Sequence, residues 1–389
     1  MNRLSVCHFI LIGLLFWGLP AVFVVGPSAI LYTFAAVIPV WICARCSSAM
    51  KWSTQPDSGI GTTTVFILVS FAITYLIADA LFGQKLFASN LFLHGVKAVD
   101  MSVDQSNAMN SQGRGIVALF GTIIGLLPYC LIDVTRHARR FERWALWTAA
   151  ILLLFYGVAA SRAAAVMSVL IIVMGKTSNW RRILVAGGAA FALFSFASAV
   201  RGDLATSRNP LAEAIGAPYV NLLLMRAAHC GSAPWYYYIG EFFKKFIPGF
   251  IYPKSVYSFN VETSLCIYPS ADESVTSVSI FTWLGEMFYY TPSILTALCA
   301  GILLGLMGLL VNRQLVRNGL PCARIGVGYA IITLLRSRSQ DVLTYLIAQV
   351  IFFLFWPHLY RLSRYLRHCV APLSGLTSSR ELADDVTQS

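Results

Sequence analysis

Continuously apolar runs of about 20 residues recur from one end of this chain to the other, and no other feature limits its fold so severely. A hydrocarbon core about 30 Å thick takes about 20 apolar residues per helical crossing. The runs do not alternate in polarity, so barrel strands are set aside. Charged residues make up only 12% of the chain against 57% apolar, where a soluble domain carries about 25% charged. The fold class predicted is an all-α, polytopic membrane helical bundle.

The runs fall at 4–25, 28–44, 62–82, 116–134, 144–160, 163–175, 183–200, 284–311, 325–335 and 342–360, about ten transmembrane helices. The first follows Arg3 and is too long for a signal h-region; with another span after it, it is expected to be retained. The organisation predicted is transmembrane helices 1–7 in 1–200, one large hydrophilic loop in 201–280, helices 8–10 in 281–367, and a disordered tail in 368–389. A second outer stretch, 83–115, is expected to hold a surface helix and then a mobile loop.

Short turns such as DVTRHARRFER and GKTSNWRR are dense in cation. By the positive-inside bias, which is counted over short loops, these face the cytoplasm. Both termini are then cytoplasmic and the long loop is outside. The net charge of +12 follows from this topology and from attraction to anionic membrane lipid, so no nucleic acid partner is required. Cys43 and Cys46 form a lone C-x-x-C without the second pair or histidines that zinc would want. Cys230 and Cys266, both in the long loop, are either a disulfide in an oxidising compartment or two free thiols.

Two places have too few residues for the crossing asked of them. Residues 144–175 must cross twice, with Arg162 at the turn, and only a short run separates Arg324 from Arg336 and Arg338. An ionisable group drawn to bilayer depth is costly unless it faces a cavity or a partner, or snorkels to the interface. Arg201 ends one span and Arg114 begins another, so several guanidinium groups gather at the outer ends of helices. Guanidinium is planar, permanently charged and matched to phosphate oxygens. Arg162, Arg201, Arg336 and Arg338 are therefore candidates for a lipid-linked pyrophosphate, and Arg114 and Arg226 for the sugar or lipid around it. In WYYYIGEFFKKF the aromatics recur at helical spacing, which predicts an amphipathic helix at the interface. Trp235 and Tyr238 on it offer faces for sugar rings. No Walker loop, outer D-x-D pair or His cluster occurs, so neither metal nor cofactor is expected.

From the arginine hairpin onward the order of features resembles the O-antigen polymerase family. The pieces that carry it are YGVAASRAAAVMSVLIIV, FIPGFIYPKS, TSVSIFTWLGEMFYYTPSILTALCAGILLGLM and LLRSRSQDVLTYLIAQVIFFLFWP. Beside the hairpin arginine, where the family often has glycine, stand Ala160 and Ser161. The resemblance implies a GT-C-like membrane fold in a bacterial inner membrane. It also implies periplasmic glycosyl transfer between lipid-linked oligosaccharide repeat units, with polyprenyl pyrophosphate as the leaving group. A chain-length regulator and other polysaccharide-assembly proteins are the implied partners. Glu286 matches the family's acidic position and is the candidate base or sugar anchor. His229, by its ordinary pKa, is the alternative, and Asp203, Glu262 and Asp341 share the outer side. A ligase for finished glycan and a flippase for the same lipid-linked sugar are the competing readings.

Overall fold

The computed structural model describes residues 4–48, 50, 115–135, 140–157, 210–231, 233–244, 259–269, 281–291 and 293–370, with isolated pieces between 171 and 195. It is mostly helical. Among the described residues, four helical stretches are long and apolar enough to cross a membrane: Val6–Val25, Ser28–Ser48, Ile294–Arg317 and Ser339–His358. The spans expected at 62–82 and around Arg162, and the surface helix and loop at 83–115, lie largely or wholly outside the described residues. So does the tail beyond residue 370.

The first span is α1 (Val6–Gly18), continued through a 3-10 turn containing Pro20 into the short α2 (Val22–Val25). Gly26, at φ +84°, lets the chain reverse into α3 (Ser28–Ser48). The buried positions of α3 are Ala29, Thr33, Ala36, Val40, Ala44 and Ser47, one helical stripe of mostly small residues. Its exposed positions include Leu31, Phe34, Ile38, Trp41 and Ile42. Small residues inside and large apolar ones outside is the pattern of a helix packed among helices in lipid, where close backbone approach, not hydrophobic exclusion, drives association.

After α4 (Gly115–Val134) and α5 (Arg140–Gly157) come α6 (Pro210–Ala227), α7 (Trp235–Lys244), α8 (Phe259–Ile267) and α9 (Trp283–Tyr289). Three long helices follow: α10 (Ser293–Arg317), α11 (Pro321–Leu334) and α12 (Ser339–Val370). Ala297, Gly301 and Gly305 repeat every fourth residue on α10 and face α3. A Cβ on Gly301 would collide with the Ala36 carbonyl oxygen and lie 2.9 Å from Ala36 Cα. A neighbouring stripe of α10, Leu298, Ile302, Leu306 and Leu310, is exposed.

The span expected at 284–311 is broken in the structure. α9 stops at Tyr289, Tyr290–Thr291 form the strand β2, and α10 starts anew at Ser293. β2 pairs in parallel with β1 (Ala233–Pro234), Ala233 opposite Tyr290. A strand from the long loop thus interrupts what reads as one apolar run. Cys230, which leads into β1, is bonded to Cys266 at the end of α8, with Cα atoms 5.9 Å apart. The disulfide alternative is the one realised, while Cys43 and Cys46 are free thiols.

The two ends of the bundle are distinct. At one, the Val6 N–H donates to Asn312 Oδ1 at 3.2 Å and Ser47 Oγ to Ser5 Oγ at 2.6 Å. At the other, Trp17 Nε1 donates to the Ile332 carbonyl at 2.8 Å, Tyr219 on α6 donates to the Phe16 and Trp17 carbonyls, and α9 meets the turn between α11 and α12. α6 to α9 thus cover the second end.

Candidate functional site

The turn 335–338 links α11 to α12 and carries both Arg336 and Arg338. It is a tight continuation of α11: Arg336 N–H donates to Thr333 O at 3.2 Å and Arg338 N–H to Leu334 O at 3.1 Å. From α9, Trp283 N–H donates to Leu335 O at 3.2 Å, which fixes the start of α9 to this turn.

α12 opens on Ser339. The first N–H groups of a helix have no partner within it and concentrate the positive end of its dipole. A capping group is ordinarily the preceding residue; here it comes from another helix. Glu286 on α9 is 1% exposed. Its Oε2 accepts from Ser339 N–H at 2.8 Å and also from the Ser339 hydroxyl, and its Oε1 accepts from Gln340 N–H at 3.4 Å. Burial pushes the Glu286 carboxyl up to about 7, against the opposing pull of the Ser339 hydroxyl and the Arg338 guanidinium. Desolvation disfavours its charge more than these partners restore it.

Tyr238 on α7 closes the cluster. Its hydroxyl lies 2.8 Å from Ser339 Oγ, and its carbonyl accepts from Gln340 Nε2 at 2.9 Å. When Glu286 is ionised it accepts the Ser339 proton, so Tyr238 is the donor to Ser339. The ring of Tyr238 meets Tyr290 edge-on at 5.7 Å. Arg338 holds Asp341 bidentately, Nε to Oδ2 at 2.9 Å and Nη2 to Oδ1 at 2.8 Å, and both side chains keep some exposed surface.

Comparison with known protein families, curated proteins and solved structures gave no match.

The structure therefore joins Glu286, Tyr238 and the Arg336–Arg338 turn. Glu286 and Tyr238 are both buried, and each bonds the start of α12. The amphipathic helix predicted from WYYYIGEFFKKF forms, but it is aromatic on two sides. Tyr238 and Phe242 point inward, Tyr236, Tyr237 and Phe243 outward, and Trp235 is half-buried. Arg226 and His229 belong to another part of the same end. Arg226 Nη1 donates to the Val25 carbonyl at 3.2 Å, closing the end of α2, and its guanidinium lies 4.7 Å from the Phe288 ring centroid. His229 is exposed at φ 54°. With Cys230 N–H donating to Met225 O and His229 N–H to Arg226 O, it occupies the left-handed position that ends α6 in a Schellman motif. Arg114, Arg162 and Arg201 lie outside the described residues.

Sequence reasoning missed Ser339 and Gln340. Ser339 had a local signal, a serine immediately before an apolar helical run. Asp133 was also missed: from the end of α4 its two oxygens accept from Cys322 and Ala323 N–H, both at 3.0 Å, capping α11. The helices of the α11–α12 hairpin thus each start on a carboxylate lent by another helix.

Proposed function

We propose that the chain is a metal-independent membrane glycosyltransferase that polymerises oligosaccharide repeat units carried on polyprenyl pyrophosphate, at the periplasmic face of a bacterial inner membrane. The observation that carries this reading is the arginine turn, held by the Trp283 N–H of α9 on Leu335 O and by Asp341 of α12 on Arg338, at the end of the bundle covered by α6 to α9. The Cys230–Cys266 disulfide lies at that end, which suits an oxidising compartment and agrees with the positive-inside orientation.

In the reaction the bond between the anomeric carbon and a pyrophosphate oxygen breaks, and its electron pair leaves with polyprenyl pyrophosphate. A new bond forms from that carbon to a hydroxyl oxygen of the incoming repeat unit. Arg336 and Arg338 meet the charge that develops on the leaving group, where preorganised donors in a poorly hydrated site act most strongly. Asp341, on the first turn of α12 and partly exposed where Arg338 holds it, is the carboxylate beside this turn that would accept the proton of the acceptor hydroxyl. Glu286, buried and bonded to the first N–H groups of α12, acts by holding the turn.

The test is elongation by the purified full chain in proteoliposomes supplied only with lipid-linked repeat units. A ladder of longer products is expected, reduced on the order of a hundredfold or more by Arg336→Ala or Arg338→Ala. No lengthening by the unaltered chain overturns the reading, and transfer of finished glycan to a lipid acceptor replaces it with a ligase.

A further inference from the structure

Three helices from three parts of the chain meet in one buried chain of hydroxyls. Tyr238 comes from α7 in the large loop, Glu286 from α9, and Ser339 from the first turn of α12. Tyr238 and Ser339 are both fully buried. A buried tyrosine hydroxyl is expensive without a partner, and this one finds Ser339 at 2.8 Å. Ser339 in turn donates to Glu286, which also takes the Ser339 N–H. The phenol therefore reaches the capping carboxylate through one serine. Gln340 adds a parallel link, from its side-chain amide to the Tyr238 carbonyl. Two adjacent residues of α12 thus clasp a single residue of α7, and the residue before them is Arg338.

The outward face of α7 strengthens the point. Tyr236, Tyr237 and Phe243 are exposed while Tyr238 and Phe242 are buried, so α7 has one apolar side for its surroundings and one for the bundle. A helix with two apolar faces has no strong preference from burial alone for which face turns inward. The hydroxyl and amide bonds to α12 supply that preference, because only the Tyr238 side places an O–H against Ser339.

We infer that Tyr238 and Ser339 are positioning residues, a hydroxyl latch through which the loop helix α7 holds the first turn of α12, and with it the Arg336–Arg338 turn, in a fixed orientation. That this orientation serves a diphosphate rests on the function proposed above; the latch itself does not.

The experiment uses the full chain in lipid nanodiscs. Amide hydrogen exchange is followed at 235–244 and 339–341, and inorganic pyrophosphate binding is measured in parallel. Tyr238→Phe removes only the hydroxyl and leaves the ring and the carbonyl bond to Gln340, so α7 stays folded. Loss of one such buried bond is worth on the order of a tenfold change in an opening equilibrium. Tyr238→Phe should speed exchange at 339–341 and 235–244 by about that factor, and Ser339→Ala, which also loses the hydroxyl bond to Glu286, by at least as much. Ser339→Thr, which restores a hydroxyl, should recover the unaltered rate. The double variant should exchange little faster than Ser339→Ala alone, which already lacks the Tyr238 link. Amides at the far end, around Val6 and Asn312, should not change. Pyrophosphate binding should weaken several-fold in Tyr238→Phe. Unaltered exchange at 339–341 in Tyr238→Phe overturns the latch. If exchange responds as expected but pyrophosphate does not bind the unaltered chain, the latch stands and the diphosphate reading falls.

Discussion

Replacing Glu286 with glutamine should remove a pH dependence of stability that the unaltered chain possesses. The carboxyl of Glu286 is raised by burial from the 4.5 of an exposed group to about 7. When the chain unfolds, the group returns to water and to its ordinary value. Between these two values the folded state binds more protons than the unfolded one, so stability falls as pH rises. The fall starts near pH 4.5, is complete a little above pH 7, and is absent at higher pH. Its size follows from about 1.4 kcal/mol per pH unit of displacement, giving about 3 kcal/mol across the window. Glutamine keeps an oxygen to accept from Ser339 N–H and hydroxyl, and it does not titrate. The assay is denaturant-induced unfolding of both proteins in matched detergent micelles from pH 4.5 to 8.5. Glu262 is also raised by burial, but it is present in both proteins and cancels in the difference. The Glu286→Gln variant should gain on the unaltered chain as pH rises through the window, then run parallel to it. Curves that stay parallel throughout would refute the claim that Glu286 is buried and engaged as described.

Three further predictions concern the frame around the site. Gly301→Ala forces a methyl onto the Ala36 carbonyl and should cost about 1–3 kcal/mol by overpacking, read as a lower thermal midpoint. Gly187→Ala, at a glycine with open space beside it, serves as the comparison. His229→Gly relieves a left-handed residue at the end of α6 and should raise stability by up to about 1 kcal/mol in the same assay. Asp133→Ala strips the cap from α11 and should cost about 1–2 kcal/mol, with faster exchange at Cys322 and Ala323 amides as its local signature.

The helical membrane character was plain from the apolar runs, because a crossing helix satisfies its backbone internally and needs no distant partner. What depends on distant partners was not legible. The run containing Glu286 reads as one span, yet it breaks at Tyr290–Thr291 because Ala233 and Pro234 pair there. Pro292, inside that run, marks the break, because the residue before a proline is pushed to extended backbone; the partner strand is what the run does not announce. Glu286 stood out as an acidic residue at a span entry, but its burial and its duty to α12 depend on Ser339, 53 positions away. Tyr238 lies on the helix that the aromatic spacing predicts, but periodicity marks an apolar stripe without saying whether lipid or protein covers it. His229 shows the limit of reasoning from residue type. Its imidazole suggests acid–base chemistry, while the role the fold gives it is one the residue type does not announce: its backbone, at φ 54°, ends α6.

If the Arg336–Arg338 turn docks a lipid diphosphate, as proposed, the charged head of the lipid must decide its binding. Polyprenyl pyrophosphate and the corresponding uncharged polyprenol are titrated into the full chain in nanodiscs, followed by quenching of tryptophan fluorescence. Saturable binding of the diphosphate, weak binding of the alcohol, and loss of that difference when Arg336 and Arg338 are both replaced by alanine are expected. Equal binding of the two lipids by the unaltered chain, or a preference for the diphosphate that survives removal of both guanidinium groups, would contradict that docking.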